Sequence, residues 1–245
     1  MARYCAALAY DGTAYHGFQR QANASSIQAE VEAALERLTG SRVSILGAGR
    51  TDAGVHAAGQ VIAFDLDWSQ GLYRLRKAIN AHLPEDIVVS AVAEAADDFH
   101  PRYDALKRRY RYDLYTADEP DPLRRHRAWH LTTPLNVGAM QEAADCLVGT
   151  LDYSSFGTPP QGDNSVRMVF EARWASPTET DYHFYIAANA FLYRMVRSIT
   201  ATLVQVGQGR MTVEAFQGIL VARDRSKAAS IAPAHGLTLT SVTYE

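Results

Sequence analysis

Arg50, Asp52 and His56 fall close together in the stretch Gly47-Ala48-Gly49-Arg50-Thr51-Asp52-Ala53-Gly54-Val55-His56-Ala57-Ala58-Gly59-Gln60. A carboxylate two residues from a guanidinium can be held ionised and used as a nucleophile or base. Glycines on both sides of Asp52 let the main chain turn through positive φ and let a second molecule approach closely. The same residues also suit a turn capped by its own aspartate, or a solvated Arg–Asp pair. A nucleotide-phosphate loop fits poorly, because such loops open a helix whereas Gln60 to Phe64 reads as strand.

The flanking runs, Val43 to Leu46 and Val61 to Phe64, predict two strands that carry this loop on rigid supports. Before them, Arg3 to Tyr10 alternates as a strand and ends at the turn Asp11-Gly12. The next loop, Tyr15-His16-Gly17-Phe18-Gln19-Arg20-Gln21, mixes rings, amides and an arginine, which suits base stacking and phosphate binding; its rings suit anchoring to a core equally well. Ser25, with Gln28 as capping-box partner, starts a helix with Ile27, Val31, Ala34, Leu35 and Leu38 at helical spacing, ended by Gly40. A second helix through Leu72, Leu75, Ile79 and Leu83, stopped by Pro84, and a strand over 87–92 complete a β-α-β-β-α-β order, the split pattern of ferredoxin-like and RNA-recognition folds.

The second half begins with a strand over 107–115, in which Tyr110, Tyr112 and Leu114 share one face, inward towards a core or a cleft, and Arg109, Arg111 and Asp113 share the other. Tyr110 by itself reads as a core ring. A short strand over 127–131, a helix over 135–148 ended by Gly149, an irregular loop over 158–164 and strands over 166–174 and 182–188 follow. A long apolar helix over 191–206 carries Arg194 and Arg197 on one side, where each needs a partner or solvent. A helix capped by Thr212 and a strand over 237–244 close the chain. The expected class is α+β: two ferredoxin-like or RRM-like halves, 1–105 and 106–245, with antiparallel sheets joined side by side and an active-site cleft between them.

Of the 245 residues 47% are hydrophobic and 21% charged, an ordinary composition for a soluble globular protein. Two cysteines, Cys5 and Cys146, lie far apart without metal-ligand spacing, which fits a reducing cytoplasm. The opening residues lack a signal-peptide pattern, and no apolar run is long enough to span a bilayer. Net charge is -3, yet residues 102–127 hold eight basic against five acidic side chains, +3 for that window and -6 for the rest. This concentration is the expected footprint for RNA. His16, His56 and His100 read as loop hydrogen bonders rather than metal ligands.

In several blocks the chain resembles the tRNA pseudouridine synthase A (TruA) family. The blocks are Tyr10 to Thr13 with His16 to Gln21, Ser26-Ile27-Gln28, Gly47 to Gln60, Phe99 to Tyr112, Asn189 to Tyr193 with Met195-Val196-Arg197, and Ala232-Pro233-Ala234 with Gly236-Leu237. The resemblance implies a cofactor-free, metal-free isomerase that converts uridines 38, 39 and 40 of the tRNA anticodon arm to pseudouridine as a homodimer. It further implies Asp52 as nucleophile, Arg50 as the residue that helps displace the target base, Tyr110 as the ring stacked on the flipped uracil, and Arg197 as the basic partner of Asp52. Attack at C1′, addition at C6 and removal of a C2′ proton all remain open. Pro101, Tyr103, Arg194, Ser198 and Ala201 depart from the family's usual Ala, Phe, His, Asn and Gly. Two other readings of the residues are an RNA-binding module with no need of Asp52, and a hydrolase using an aspartyl nucleophile.

Overall fold

The computed structural model describes residues 1–245. In chain order the elements are β1 (Ala2–Tyr10), α1 (Ile27–Thr39), β2 (Leu46–Gly47), β3 (His56–Leu66), α2 (Leu72–Asn80), β4 (Ile87–Glu94), β5 (Lys107–Thr116), β6 (Trp129–Leu131), α3 (Val137–Asp145), β7 (Gly149–Asp152), β8 (Val166–Ala175), β9 (Asp181–Ala188), α4 (Met195–Gly207), α5 (Val213–Ala222) and β10 (Leu237–Thr243). The chain forms two compact units: Met1–Leu106 with Thr238–Glu245, and Lys107–Leu237. Both are α+β with mainly antiparallel strands, the expected class.

In the first unit the strand order is β4-β1-β3-β10, with β2 also on β3. Tyr4, Ala6, Leu8 and Tyr10 alternate inward along β1 and meet Ile27, Val31, Ala34 and Leu35 of α1 and Leu75 and Ile79 of α2 in the buried set, as strand and helix periodicities require. Ser26, not Ser25, caps α1 by accepting the Ala29 N–H; the Ser25 hydroxyl donates to Ala14 O. Gln28 closes no capping box, since its amide accepts from Arg20 N–H and donates to Glu32.

The strand expected over 43–46 shrinks to Leu46–Gly47, because the Ile45 N–H donates to the buried Glu32 carboxylate instead of to a neighbouring strand. β3 starts at His56, earlier than the sequence pattern indicates, where it pairs in parallel with Thr238 of β10. α2 stops at Asn80, short of Leu83, because the Asn80 amide both accepts the Val89 N–H and donates to Val89 O, tying the helix end to β4.

In the second unit the order is β5-β9-β8-β7, with β6 parallel to β5. Tyr112, Leu114, Trp174, Phe184 and Ile186 are buried, together with Met140, Ile199, Leu203 and Phe216 of the helices. α3 is shorter than expected: Asn136 caps it, and after Asp145 the chain turns through Gly149 into β7, a strand the sequence pattern did not reveal. Arg194 lies outside α4, at its N-cap with φ 62°, so it shares no helical face with Arg197. The Tyr193 N–H donates to Thr158 O and holds the chain in a turn that becomes helix only at Met195.

Candidate active site

The loop between β2 and β3 is fixed from several sides by the first unit. The Phe18 N–H donates to Thr51 O at 3.0 Å and the Gly54 N–H to Tyr15 O at 3.3 Å. The Tyr10 and Thr51 hydroxyls are 2.8 Å apart, and Gln60 Nε2 donates to Gly49 O at 2.9 Å. Asp52 O accepts the Val55 N–H, closing a turn with Gly54 at φ 77°. Gly17 has φ 101°, and a Cβ there would lie 2.7 Å from Thr51 O, so only glycine lets the 15–18 segment press against the loop.

These hydrogen bonds decide the role of the aromatic loop that precedes α1. Tyr15 and Phe18 are buried anchors, and the Tyr15 hydroxyl donates to Asp86. Burial raises the Tyr15 phenol strongly, with the Asp86 hydrogen bond adding to it. His56 is buried, and its Nδ1 accepts the Gly12 N–H at 3.0 Å; Asp11 Oδ1 lies 3.0 Å from the same nitrogen and accepts from Thr13. His100 Nδ1 accepts from Arg102 N–H. His100 is a loop hydrogen bonder, as expected, whereas His56 bonds from the first residue of β3. Asp52 is partly exposed on this framework. Arg50 is exposed.

Tyr110 and Arg197 both belong to the second unit. Tyr110, half-buried on β5, meets Phe191 edge-on with centroids 5.2 Å apart and planes at 87°. Arg197, in the first turns of α4, donates through Nε to Ala232 O at 2.7 Å, and the Ala232 N–H returns a bond to Arg197 O. The Tyr112 hydroxyl donates to Pro233 O at 2.7 Å. Burial pushes the Tyr112 phenol well up, opposed by the charge of Arg197 and reinforced by that of Asp113. The Ala232–Pro233 segment is thus a bracket for Arg197 and Tyr112, a role that its turn-like sequence did not disclose.

A family model described as tRNA pseudouridine synthase matches residues 6–104 and 143–245. The tRNA pseudouridine synthase A of Chloroflexus aurantiacus (strain ATCC 29366 / DSM 635 / J-10-fl) is 44% identical over 246 residues, covering 97% of this chain and 87% of its own. The chain belongs to the tRNA pseudouridine synthase family. The synthase A of Bacillus subtilis (strain 168) is 42% identical over 241 residues, 97% of each chain; that of Streptococcus pyogenes serotype M49 is 41% identical over 250 residues, 100% of each. A chain from the "Crystal Structure of a Cbf5-Nop10-Gar1 Complex" aligns with 82% of this one and 45% of its own length at 13% identity and TM-score 0.37, too distant to argue from.

Arg50, Asp52 and Arg197 fall inside the residues matched by the pseudouridine synthase family model; Tyr110 falls in the unmatched 105–142. Two features of this family member escaped sequence reasoning. Glu32 is a buried carboxylate on a helix that reads as scaffold; it accepts from Ile45 N–H and Gln28 and pairs with Arg20 at 3.3 Å. The basic window over 102–127 is partly neutralised within its own unit: Arg109 pairs with Glu171, Arg111 with Asp113 and Arg124 with Asp181. It is a less open cationic surface than its composition promised.

Proposed function

We propose that the protein isomerises uridine to pseudouridine in the anticodon arm of tRNA, at positions 38, 39 and 40, with Asp52 as nucleophile. The N1–C1′ bond breaks, a C5–C1′ bond forms, the C5 proton is released and N1 gains one, with no net oxidation or reduction. A stem uridine must leave its stack before C1′ is accessible. Arg50 would fill the vacated place, Tyr110 would stack on the extruded ring, and Arg197 would hold Asp52 anionic. Attack on C1′, addition to C6 and removal of a C2′ proton all begin from the ionised carboxylate.

The observation that carries this reading is the combination on one loop of a main chain bonded from Tyr15, Phe18 and Gln60 with an exposed guanidinium at Arg50. The backbone that carries Asp52 is held still, as covalent catalysis needs, while the arginine is available for RNA. Following the family resemblance, the enzyme works as a homodimer in the cytoplasm.

The test is tritium release from C5-labelled uridine in tRNA, with pseudouridine mapped in the product. Asp52→Asn is expected to abolish release while keeping tRNA affinity within about tenfold, the pattern of a group needed for the chemical step and not for binding. Turnover retained in that variant would remove Asp52 from the mechanism. Free uracil formed with consumption of water would replace isomerisation by hydrolysis.

A further inference from the structure

The nine-residue helix α2 carries Arg74, Arg76 and Lys77 and no acidic residue. Several arginines elsewhere in this protein meet carboxylates: Arg3 with Asp65, Arg20 with Glu32, Arg124 with Asp181 and Arg223 with Asp152. On α2 they do not. Arg76 donates to Ser90 O, and the exposed Arg74 and Lys77 make no ion pair. Between them stands Tyr73, 62% exposed, with the Arg76 guanidinium 5.7 Å and the Lys77 ammonium 5.1 Å from its ring centroid.

This arrangement works against the helix. Arg74 lies in the first turn, at the positive end of the helix dipole, where a cation destabilises; only Lys77, in the last turn, is favourably placed. Arg74 and Lys77, three apart, repel each other. Gly71 supplies no side-chain cap, and only Leu75 and Ile79 are buried. In a chain of net charge -3, unpaired positive charge on one face of a marginal helix is explained by a partner that brings negative charge.

We infer that the outer face of α2, formed by Tyr73, Arg74 and Lys77, is a docking ridge for the phosphate backbone of RNA, separate from the loop that holds Asp52. The inference rests on tRNA being the substrate. Arg76 reaches Ser90, next to Ala91, which faces Ala7 of β1. The strand position to which Arg76 anchors the helix is therefore three residues, on the order of 10 Å, from the Tyr10 end of β1 beside the Asp52 loop. The ridge would take phosphates some nucleotides away from the reacting uridine. Arginine and lysine supply the charge, and the exposed ring offers a face to a sugar or an unstacked base.

The test measures tRNA affinity between 50 and 200 mM salt for the wild-type chain and for the Arg74→Gln/Lys77→Gln variant. Each phosphate that the variant no longer neutralises lowers the slope of log affinity against log salt by about 0.7–0.9, so the fall in affinity over this range should narrow by about tenfold. The single-turnover rate at saturating tRNA should stay at the wild-type value. Removing a repulsive pair should leave the melting temperature equal or higher, so a folding defect is not expected to obscure the result. An unchanged salt slope overturns the inference. So does loss of affinity for poly-L-glutamate with tRNA binding intact, which would assign the face to an acidic protein. Asp52→Asn supplies the separate arm: it should keep the wild-type slope and lose turnover, so failure of the ridge and failure of the proposed reaction give different results.

Discussion

The Tyr10 and Thr51 hydroxyls share a hydrogen bond of 2.8 Å with both side chains buried. Burial pushes the Tyr10 phenol up to about 12, against the opposing effect of its bonds to Thr51 and Gln60. The pair joins the end of β1 to the residue before Asp52. Tyr10→Phe leaves the Thr51 hydroxyl buried without a partner, at a cost of about 1–3 kcal/mol, whereas replacing both partners by apolar groups of similar shape is nearly neutral. Adding Thr51→Val to Tyr10→Phe should therefore recover part of the loss in urea denaturation. Strictly additive losses would show that the two hydroxyls act independently. Because the loop would be less well fixed, kcat should fall more than KM rises.

Arg197 is held by geometry that lysine cannot reproduce. Its Nε donates to Ala232 O from a planar, forked guanidinium, whereas an ammonium is a single donor centre on a flexible stem. Arg197→Lys should change stability by no more than about 1.5 kcal/mol, the usual worth of one hydrogen bond. If the guanidinium positions Asp52 as proposed, kcat should drop by about 100-fold, as misplacement of a catalytic group by about 1 Å can do. Wild-type kcat in the lysine variant would remove Arg197 from the chemistry.

Asp152 makes part of the stability of the second unit sensitive to acid. The Ser165 hydroxyl is the largest cause of its lowered pKa, followed, after an opposing burial effect, by Ser154 and Arg223. Its folded pKa lies below the unfolded value near 3.8, so the unfolded chain binds the proton first as pH falls. The stabilisation is complete above that value and is lost as pH drops through the folded pKa. Asp152→Asn should thus be less stable than wild type at pH 7, with the difference shrinking below about pH 4. A difference that stays constant from pH 7 to pH 2 would refute the assignment.

Elements with a strong internal period were legible in the sequence: β1, β5, β8, β9 and the buried face of α1 follow from alternation or helical spacing alone. Features set by a distant partner were not. Glu32 occupies a position that reads as the polar side of a helix, and only the fold brings Ile45, Gln28 and Arg20 to it. The carboxylates that neutralise Arg109 and Arg124 come from Glu171 and Asp181, about sixty positions away, so counting charge along the window overstated it. Adjacent serines made the α1 cap ambiguous by one residue. Arg194 was misplaced because its left-handed conformation is imposed by the Tyr193–Thr158 bond, which no local pattern encodes. The Asp52 loop was visible through its glycines; the Ala232–Pro233 bracket for Arg197 was not.

Gly59 reads in the sequence as one more glycine of a flexible loop, yet it lies inside β3 where β10 runs alongside. A Cβ at this position would fall 2.4 Å from Thr240 O, 3.1 Å from Thr240 C and 3.2 Å from Ser241 Cα. All three are main-chain atoms and cannot give way as a flexible side chain would. Gly59→Ala should therefore cost about 1–3 kcal/mol through overpacking, with faster hydrogen exchange in the strand over 238–243. Since β3 begins at His56, four residues after Asp52, the displaced strand should also lower kcat. Gly218 in α5 is the control, because a Cβ there meets nothing within 4 Å. Gly218→Ala should stabilise by about 0.5–1 kcal/mol through helix propensity. If the two substitutions shifted the melting temperature alike, close packing of β10 on Gly59 would not be the reason that glycine stands there.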